Sequence, residues 1–359
     1  MGAHVYGHPT VAIAGKTLGA GHPCYVIAEA GSNHNRDLAT ARNLIEVAAA
    51  SGADAVKFQT YTAEGLYSRR TPTMGYLEQR ALVDQDESVW DLIKRIEMPW
   101  EWHADLAEHA AGCGISFLST PFEEAAVDAL EAVGMPAYKI ASYEINHLPL
   151  IEKAARTGKP LLISTGMASL GDVERALDTA NAAGARDIVL LHCAINYPPR
   201  FEDLNLRAIQ TLGAAFGLPV GWSDHTLGHS ADVAAVTLGA CCVEKHVTLS
   251  RDQAGPDHLF ALEPDELTAM VTALRETEAA LGTSVKRATD AEAEMFRLGR
   301  RSLVAARDLP AGQTLKKEDV AIKRPGFGIP VHDLDNVVGR RTARAIEADE
   351  VLTWEDLAR

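Results

Sequence analysis

The sequence predicts an α/β protein built as a (β/α)8 TIM barrel followed by a small β-rich domain. Two observations carry that prediction. Between Cys24 and Gly282, β-rich apolar runs alternate with Ala-rich stretches of helical period, which is the mark of repeated βα units. After Arg301 the pattern changes to short strands punctuated by Pro and Gly, so a second domain begins there. An open doubly wound sheet is the structural alternative, and against it no GxGxxG follows the first strand. The length, 359 residues, suits one large domain and one small one. The divisions read as 1–283 for the barrel, 284–299 for a polar linker or short helix, and 300–359 for the small domain.

Taken in order, the first strand is Cys24–Gly31, and a helix over Asp37–Ser51 opens on a capping Asp and closes before Gly52. The second strand is Ala55–Thr60, and the helix Trp100–Ala111 leads into the third, Ile115–Thr120. Glu123–Val133 is helical, Ala137–Ser142 is the fourth strand, and Pro160–Gly166 is the fifth, followed by the helix Ser169–Ala183. Asp187–Ala194, Pro219–Asp224 and Cys241–Thr248 complete the eight strands, and the helix Pro264–Leu281 ends the barrel. Tyr61–Met98 has no assigned element. Loops beyond about 12–15 residues are usually functional, so it reads as a lid or substrate loop. In the tail, Leu309–Val320 and Ile346–Leu357 match at Leu315/Leu352, Glu318/Glu355 and Asp319/Asp356, which predicts two related half-motifs in a pseudo-symmetric β fold.

A composition of 47% hydrophobic and 23% charged residues supports a sizeable core and excludes disordered and disulfide-scaffold classes. The net charge of −15 argues against nucleic-acid and anionic-membrane surfaces. Residues 300–359 hold 11 basic and 10 acidic side chains, so the negative charge sits in the barrel, where an anionic substrate needs locally placed cations. No run approaches about 18 apolar residues and the start lacks signal-peptide character, so the expected location is the cytoplasm. Five cysteines without CxxC spacing read as buried thiols.

A TIM barrel carries its chemistry at the C-terminal ends of its strands, and polar residues stand at all eight. Alternation along a strand puts Lys57 with Gln59, Ser223 with His225, and Glu244 with His246. Lys57 and Lys139 have apolar neighbours, and a buried unpaired ammonium costs several kcal/mol. With Ser142, Ser164 and Ser223 they suit a phosphate and a carboxylate together, so a small phosphorylated acid is the natural guest; a Schiff-base lysine is the rival reading. His225 and His246, on neighbouring strands, suit Mn²⁺, Zn²⁺ or Fe²⁺, or form a general acid/base pair. Glu29 and Glu144 are carboxylates for sugar hydroxyls or for general-base work.

The runs IAEAGSNHN (27–35), VKFQT (56–60), STPFE (119–123), AYKIAS (137–142), LLISTGM (161–167), LLHC (190–193), SDHT (223–226), EKHVT (244–248) and AGPDH (254–258) closely resemble sialic acid synthases. AGQTL (311–315), IKRPGFG (322–328) and EVLTWEDL resemble the antifreeze-like, or SAF, domain that closes those enzymes. The resemblance implies condensation of phosphoenolpyruvate with an N-acetylated hexosamine, N-acetylmannosamine or a 2,4-diacetamido-2,4,6-trideoxy hexose, releasing phosphate. It implies a divalent metal, Mn²⁺ foremost, with Mg²⁺, Co²⁺ or Zn²⁺ as substitutes, and a domain-swapped homodimer. Residue by residue, Lys57, Thr120, Lys139, Ser142, Ser164 and Ser223 resemble the phosphoenolpyruvate set, and His225 and His246 the metal ligands. Glu29, Gln59, Tyr197 and Asp257 resemble acceptor-binding groups, with Arg324 reaching the N-acetyl group from the partner's cap. Glu144 matches a glutamate with an acid/base role, and Glu29 and His246 stand beside it among the catalytic residues.

Asn196, displaced by one from the family's polar position, is held as a phosphate contact. PWEWH (99–103) and IASYEI (140–145) resemble the pseudaminic acid synthases, and AGPDH the neuraminic and legionaminic ones. The competing functions are another phosphoenolpyruvate-dependent aldol-type synthase acting on a phosphorylated sugar, a Schiff-base aldolase, and a non-catalytic carbohydrate-binding protein.

Overall fold

Eight parallel strands form the first of two units, Met1–Gly282 and Thr283–Arg359. A computed structural model describes residues 6–72 and 88–358. Before the barrel comes a hairpin absent from the sequence reading, β1 (Thr10–Ile13) and β2 (Lys16–Gly19). Its turn residues Ala14 and Gly15 both have positive φ, as a two-residue turn matched to strand twist requires. The barrel strands are β3 (Tyr25–Gly31), β4 (Ala55–Thr60), β5 (Ser116–Pro121), β6 (Tyr138–Ile140), β7 (Leu161–Ser164), β8 (Ile188–Cys193), β9 (Val220–Asp224) and β10 (Cys242–His246). Their hydrogen-bonded order is β5-β4-β3-β10-β9-β8-β7-β6, and β5 and β6 lie side by side to close the ring.

Each strand feeds a helix. α1 (Leu38–Ala50) follows β3, and α2 (Ala63–Leu66), α3 (Val89–Ile96) and α4 (His103–Gly112) follow β4. Then come α5 (Glu124–Ala132), α6 (Leu148–Ala155), α7 (Leu170–Ala182), α8 (Ala208–Phe216), α9 (Ser230–Thr237) and α10 (Pro264–Leu281). The unassigned stretch read as a lid or substrate loop carries α2 and α3, held by a Thr62 cap and a Ser88/Asp91 capping box. Its residues 73–87 lie outside the described residues. The predicted helix at Trp100 begins as a 3-10 turn, Trp100–Trp102, before α4. No helix among the described residues is long and apolar enough to cross a membrane.

Strand parity sorts the barrel into two cores. Val26, Ala28, Val56, Phe58, Ile163, Leu190 and Trp222 point outward and pack on the helices. Tyr25, Ile27, Ala55, Leu118, Leu162 and Leu191 point inward, joined from below by Val11, Ile13 and Leu18 of the hairpin. The hairpin thus plugs the N-terminal end, and everything polar on the inner face is left for the C-terminal end.

In the second unit a 3-10 turn and α11 (Ala293–Gly299) precede β11 (Ser302–Ala305) and β12 (Val320–Lys323), which pair antiparallel. The sequence repeat has a physical basis. Asp319 accepts from Arg307 Nε and the Lys316 N–H, both 2.9 Å. Asp356 accepts from Arg344 Nε and the Thr353 N–H, both 2.8 Å. Two buried aspartates each tie an arginine to a turn around a core of Leu303, Leu309, Leu315, Ile346, Leu352 and Leu357.

Candidate functional site

At the C-terminal end of the barrel lies a cavity of about 170 Å³. Its floor is built from inward-facing residues of the eight strands: Glu29, Lys57, Thr120, Lys139, Ser164, Cys193, Ser223 and Glu244. Lys57 Nζ lies 2.6 Å from Glu29 Oε2 and 3.7 Å from Glu244 Oε1, and donates to Thr120 Oγ1 at 2.9 Å. Lys139 Nζ lies 3.6 Å from the same Glu244 oxygen, to which Ser223 donates at 3.2 Å. One carboxylate therefore bridges two ammonium groups. Burial opposes the charge on Lys57, but Glu244 and Glu29 outweigh it and hold its pKa above the usual lysine value. Lys139, with burial only partly offset by Glu244, is held below it.

Around this floor stand Gln59, Ser142, Tyr197, His225, His246 and Asp257. Gln59 Nε2 donates to Glu29 Oε1 at 2.8 Å. β3 is bulged between Glu29 and Gly31, and Gly31 has φ 50° with its absent Cβ directed between Asp257, Gln59 and Glu29, 3.3 Å from each. A side chain there would be strained and would crowd three site residues. Ser142 opens a 3-10 turn, Ser142–Glu144, and its Oγ accepts from the Gly166 N–H at 3.0 Å. Ser164 Oγ, Glu244 Oε2 and Glu144 Oε2 are buried without a hydrogen-bond partner. Such groups are costly unless a ligand completes them.

The carboxyls are poised near neutrality. Burial pushes Glu29 up to about 7, with Lys57 opposing and Glu244 reinforcing. Burial also pushes Glu144 up to about 7 against the pull of Lys139, and Asp257 up to about 6 against Lys57. The same burial lowers His225 to about 4 and drives His246 well below the ordinary histidine value, with His225 adding to the effect.

Both imidazoles are therefore neutral, the form that ligates metals, with ring centroids 5.3 Å apart. His246 Nδ1 is buried without a hydrogen-bond partner and lies 3.9 Å from Asp257 Oδ2. No ready-made cluster of three His, Cys, Asp or Glu side chains exists among the described residues. A divalent cation fits His225 and His246, with Asp257, water or a ligand filling the other positions.

Of the residues singled out in the sequence, Lys57, Thr120, Lys139, Ser142, Ser164, Ser223, Glu29, Gln59, Tyr197, Asp257, His225 and His246 all line this cavity, and Glu144 is buried beside it. Arg324 belongs to the second unit, where it is exposed. Asn196 is a correction. Alternation carries Cys193, Ile195 and Tyr197 into the cavity, whereas Asn196 is exposed and lines a separate recess beside Thr165 and His192. Other polar strand ends also face the helices: Ser119 meets Thr60 at 2.7 Å and His192 meets the Leu204 carbonyl at 2.8 Å. Glu244, named in the sequence only as a polar strand end, proves central, and its parity with His246 was the available signal. Tyr61, Tyr143 and Cys193 also line the cavity.

Behind the histidines lies a second charge cluster. Lys245, fully buried on the outer face, contacts Asp224, donates to the Thr226 carbonyl at 2.7 Å and lies 3.5 Å from Asp232 of α9. Asp224 in turn accepts from the Thr226 N–H at 2.9 Å and from Thr226 Oγ1 at 2.8 Å. Both neighbours of His225 are thus clamped by the residue that precedes His246. Lys245→Met leaves Asp224 and Asp232 buried together without a counter-charge. The expected loss is about 3–5 kcal/mol, read as a lower urea midpoint; an unchanged midpoint would mean the clamp contributes nothing.

Three comparisons with known proteins agree. The sequence model of the NeuB family matches residues 44–286, and that of the SAF domain matches residues 300–358. The chain is 41% identical to N,N'-diacetyllegionaminic acid synthase of Campylobacter jejuni, covering 91% of this chain and 98% of that one. It is 40% identical to the enzyme of the same name from Legionella pneumophila, covering 95% and 97%. Among solved structures, an N-acetylneuraminic acid synthetase from Leptospira borgpetersenii in complex with citrate superposes with a TM-score of 0.70 at 32% identity, covering 81% of this chain and 96% of that one.

Proposed function

The chain belongs to the NeuB family, and from that premise we propose that it is a nonulosonic acid synthase condensing phosphoenolpyruvate with an N-acetylated hexosamine. The observation that carries this reading is the pair of buried lysines, Lys57 and Lys139, bracketing Glu244 amid the hydroxyls of Thr120, Ser164 and Ser223. Charge-assisted donors of that kind suit the phosphate and carboxylate of one small acid. Ser142, at the mouth of β6, extends the set. Glu29, Gln59, Tyr197 and Asp257 supply acceptors and donors for sugar hydroxyls and amide.

In the reaction, C3 of phosphoenolpyruvate bonds to the aldehyde carbon of the open-chain sugar. Water adds at C2, and the C2–O bond to phosphate breaks, giving the ulosonic acid and inorganic phosphate. The lysines orient the donor and stabilise its negative charge, so proximity supplies much of the acceleration. Glu144, poised near neutrality, takes the proton of the attacking water. His225 and His246 would hold a divalent cation, Mn²⁺ foremost, which when bound would polarise the aldehyde oxygen. His225 and His246, kept neutral by burial, remain available as ligands at working pH.

The proposal includes a homodimer in which the SAF unit of one copy covers the barrel mouth of the other, bringing Arg324 to the acceptor. Its support is the apolar rim of the mouth: Tyr143, Met167, Phe201, Leu227 and Leu259 are exposed on the segments that follow β6 to β10, and Leu170 at the start of α7, exposed apolar groups of the kind that mark interaction surfaces. The cytoplasm, which keeps free thiols reduced, suits the five free cysteines.

Phosphate release from phosphoenolpyruvate, with Mn²⁺ and an amino-sugar acceptor, should yield a product weighing the sugar plus pyruvic acid. Chelation should abolish it and Mn²⁺ restore it; Lys139→Ala should lower kcat/KM for phosphoenolpyruvate by roughly 10–100-fold, the worth of a charged hydrogen bond. No release with any acceptor would sink the synthase reading. The ionised form of Glu144 is the base and exists above its value of about 7. The rate should therefore rise with pH through that point, and Glu144→Gln should lose the rise and roughly 10²–10⁴-fold in kcat. A profile unaltered by the substitution would remove Glu144 from the proton transfer. Mixing Arg324→Ala with Lys57→Ala chains should restore some activity through hybrid sites; no complementation would argue for capping within one chain.

A further inference from the structure

Asp257 and Phe260 reach the site from one short turn, and that turn is held by side chains that stand outside the cavity. It is the 3-10 segment His258–Phe260, with Asp257 as its N-cap. Asp257 lines the cavity and lies 3.9 Å from His246 Nδ1. The buried ring of Phe260 backs three others, with centroids 5.0 Å from His246, 5.9 Å from His225 and 5.3 Å from Tyr197. A shift of this turn therefore moves the carboxylate and the backing of both imidazoles together.

Backbone bonds fix the far end of the turn: the Leu262 N–H donates to the His246 carbonyl at 2.8 Å and the Thr248 N–H to the Leu262 carbonyl at 2.9 Å. The near end is fixed by the buried imidazole of His258. Its Nδ1 lies 2.7 Å from Thr248 Oγ1 and its Nε2 3.1 Å from Asn35 Oδ1. Gly255 crosses the ring so closely that a Cβ there would stand 2.7 Å from it. Asn35 belongs to the loop after β3, where it and Arg36 hold φ of 47° and 58°. Residues other than glycine persist in that left-handed region where the surroundings over-determine the backbone. Here the Asn35 N–H donates to the Ser32 carbonyl at 3.1 Å, the Arg36 N–H to His34 Nδ1 at 2.9 Å, and Asn33 Nδ2 to the Val247 carbonyl at 2.9 Å. The loop after the first barrel strand thus grips the chain beyond the last one at two points, Val247 and His258.

Resting on the synthase reading, we infer that Asn35 and His258 are positioning residues: the bond between them fixes the turn that carries Asp257 and Phe260, and with it the affinity of the site for a divalent cation and for the acceptor. The donor floor of Lys57, Lys139, Ser164 and Ser223 lies on β4, β6, β7 and β9, so donor binding is independent of this bond.

Asn35→Gly is the test, because glycine accepts the same φ and only the side chain is lost, at an exposed position. Titration with Mn²⁺, followed by the electron paramagnetic resonance signal of the free ion, should show binding weakened roughly 3–10-fold, the worth of one hydrogen bond. The KM for the acceptor should rise by roughly the same 3–10-fold while that for phosphoenolpyruvate stays within about 2-fold. Gln253→Ala removes a second partner of Asn35, 3.2 Å away, leaves His258 in place, and should change neither. Unaltered Mn²⁺ binding and acceptor KM in Asn35→Gly would overturn the inference, as would equal rises in both KM values or Gln253→Ala reproducing the loss. An unmutated chain that binds no Mn²⁺ would overturn it by itself. No turnover of any amino sugar by the unmutated chain would overturn the synthase reading, and the Mn²⁺ titration would still decide whether the bond positions the site.

Discussion

The ammonium group of Lys57 is the constraint around which the top of the barrel is arranged. Stripped of water, it is stable only beside opposite charge and good acceptors, and those come from three other strands: Glu29 of β3, Thr120 of β5 and Glu244 of β10. A one-residue slip of β3 or β10 would turn one of the two carboxylates toward the helices and leave the ammonium undercompensated. The same requirement explains the bulge at Gly31, which lets β3 present Glu29 to Lys57 while leaving room for Gln59 and Asp257. An anionic ligand at this floor enters a place where positive charge is already organised.

Register is secured on the other face of the same strands. β9 reads inward Ser223, outward Asp224, inward His225; β10 reads inward Glu244, outward Lys245, inward His246. Asp224 and Lys245 are paired across the ladder and meet behind the sheet. Buried ion pairs add little net stability over well-packed apolar groups, and their best-attested use is to specify one arrangement. Here that arrangement puts two neutral imidazoles side by side. Site geometry and strand register are consequences of one alternation.

That alternation is also why so much was legible. Lys57, Lys139, Ser223 and His246 stand at strand ends in the sequence, and period-two reasoning is enough to group them. What parity alone cannot supply is its own phase after a strand ends. Asn196 lies beyond β8, and the continuing alternation takes Ile195 and Tyr197 inward and Asn196 out. The hairpin of Val11, Ile13 and Leu18 was missed because four-residue strands carry too little pattern to stand out. α2 and α3 were missed because their signals are short and local: a threonine cap and a serine capping box flanking a stretch without periodicity. Parity groups Glu244 with His246, but its bridging of Lys57 and Lys139 depends on three strands meeting and cannot be read from one strand.

The electrostatics of the site resolve an apparent contradiction between an acidic protein and an anionic substrate. The chain carries −15, and among the described residues the cavity sets Glu29, Glu244 and Asp257, with Glu144 beside it, against the two lysines Lys57 and Lys139. Yet three of those carboxyls, Glu29, Glu144 and Asp257, are held near 6 to 7 by burial, so near neutral pH part of the charge, chiefly that of Glu29 and Glu144, is already suppressed. An anion arriving beside Glu29 and Asp257 raises their values further, and protonation of either offsets the added charge. Negative charge is thereby accommodated by protonation as well as by Lys57 and Lys139.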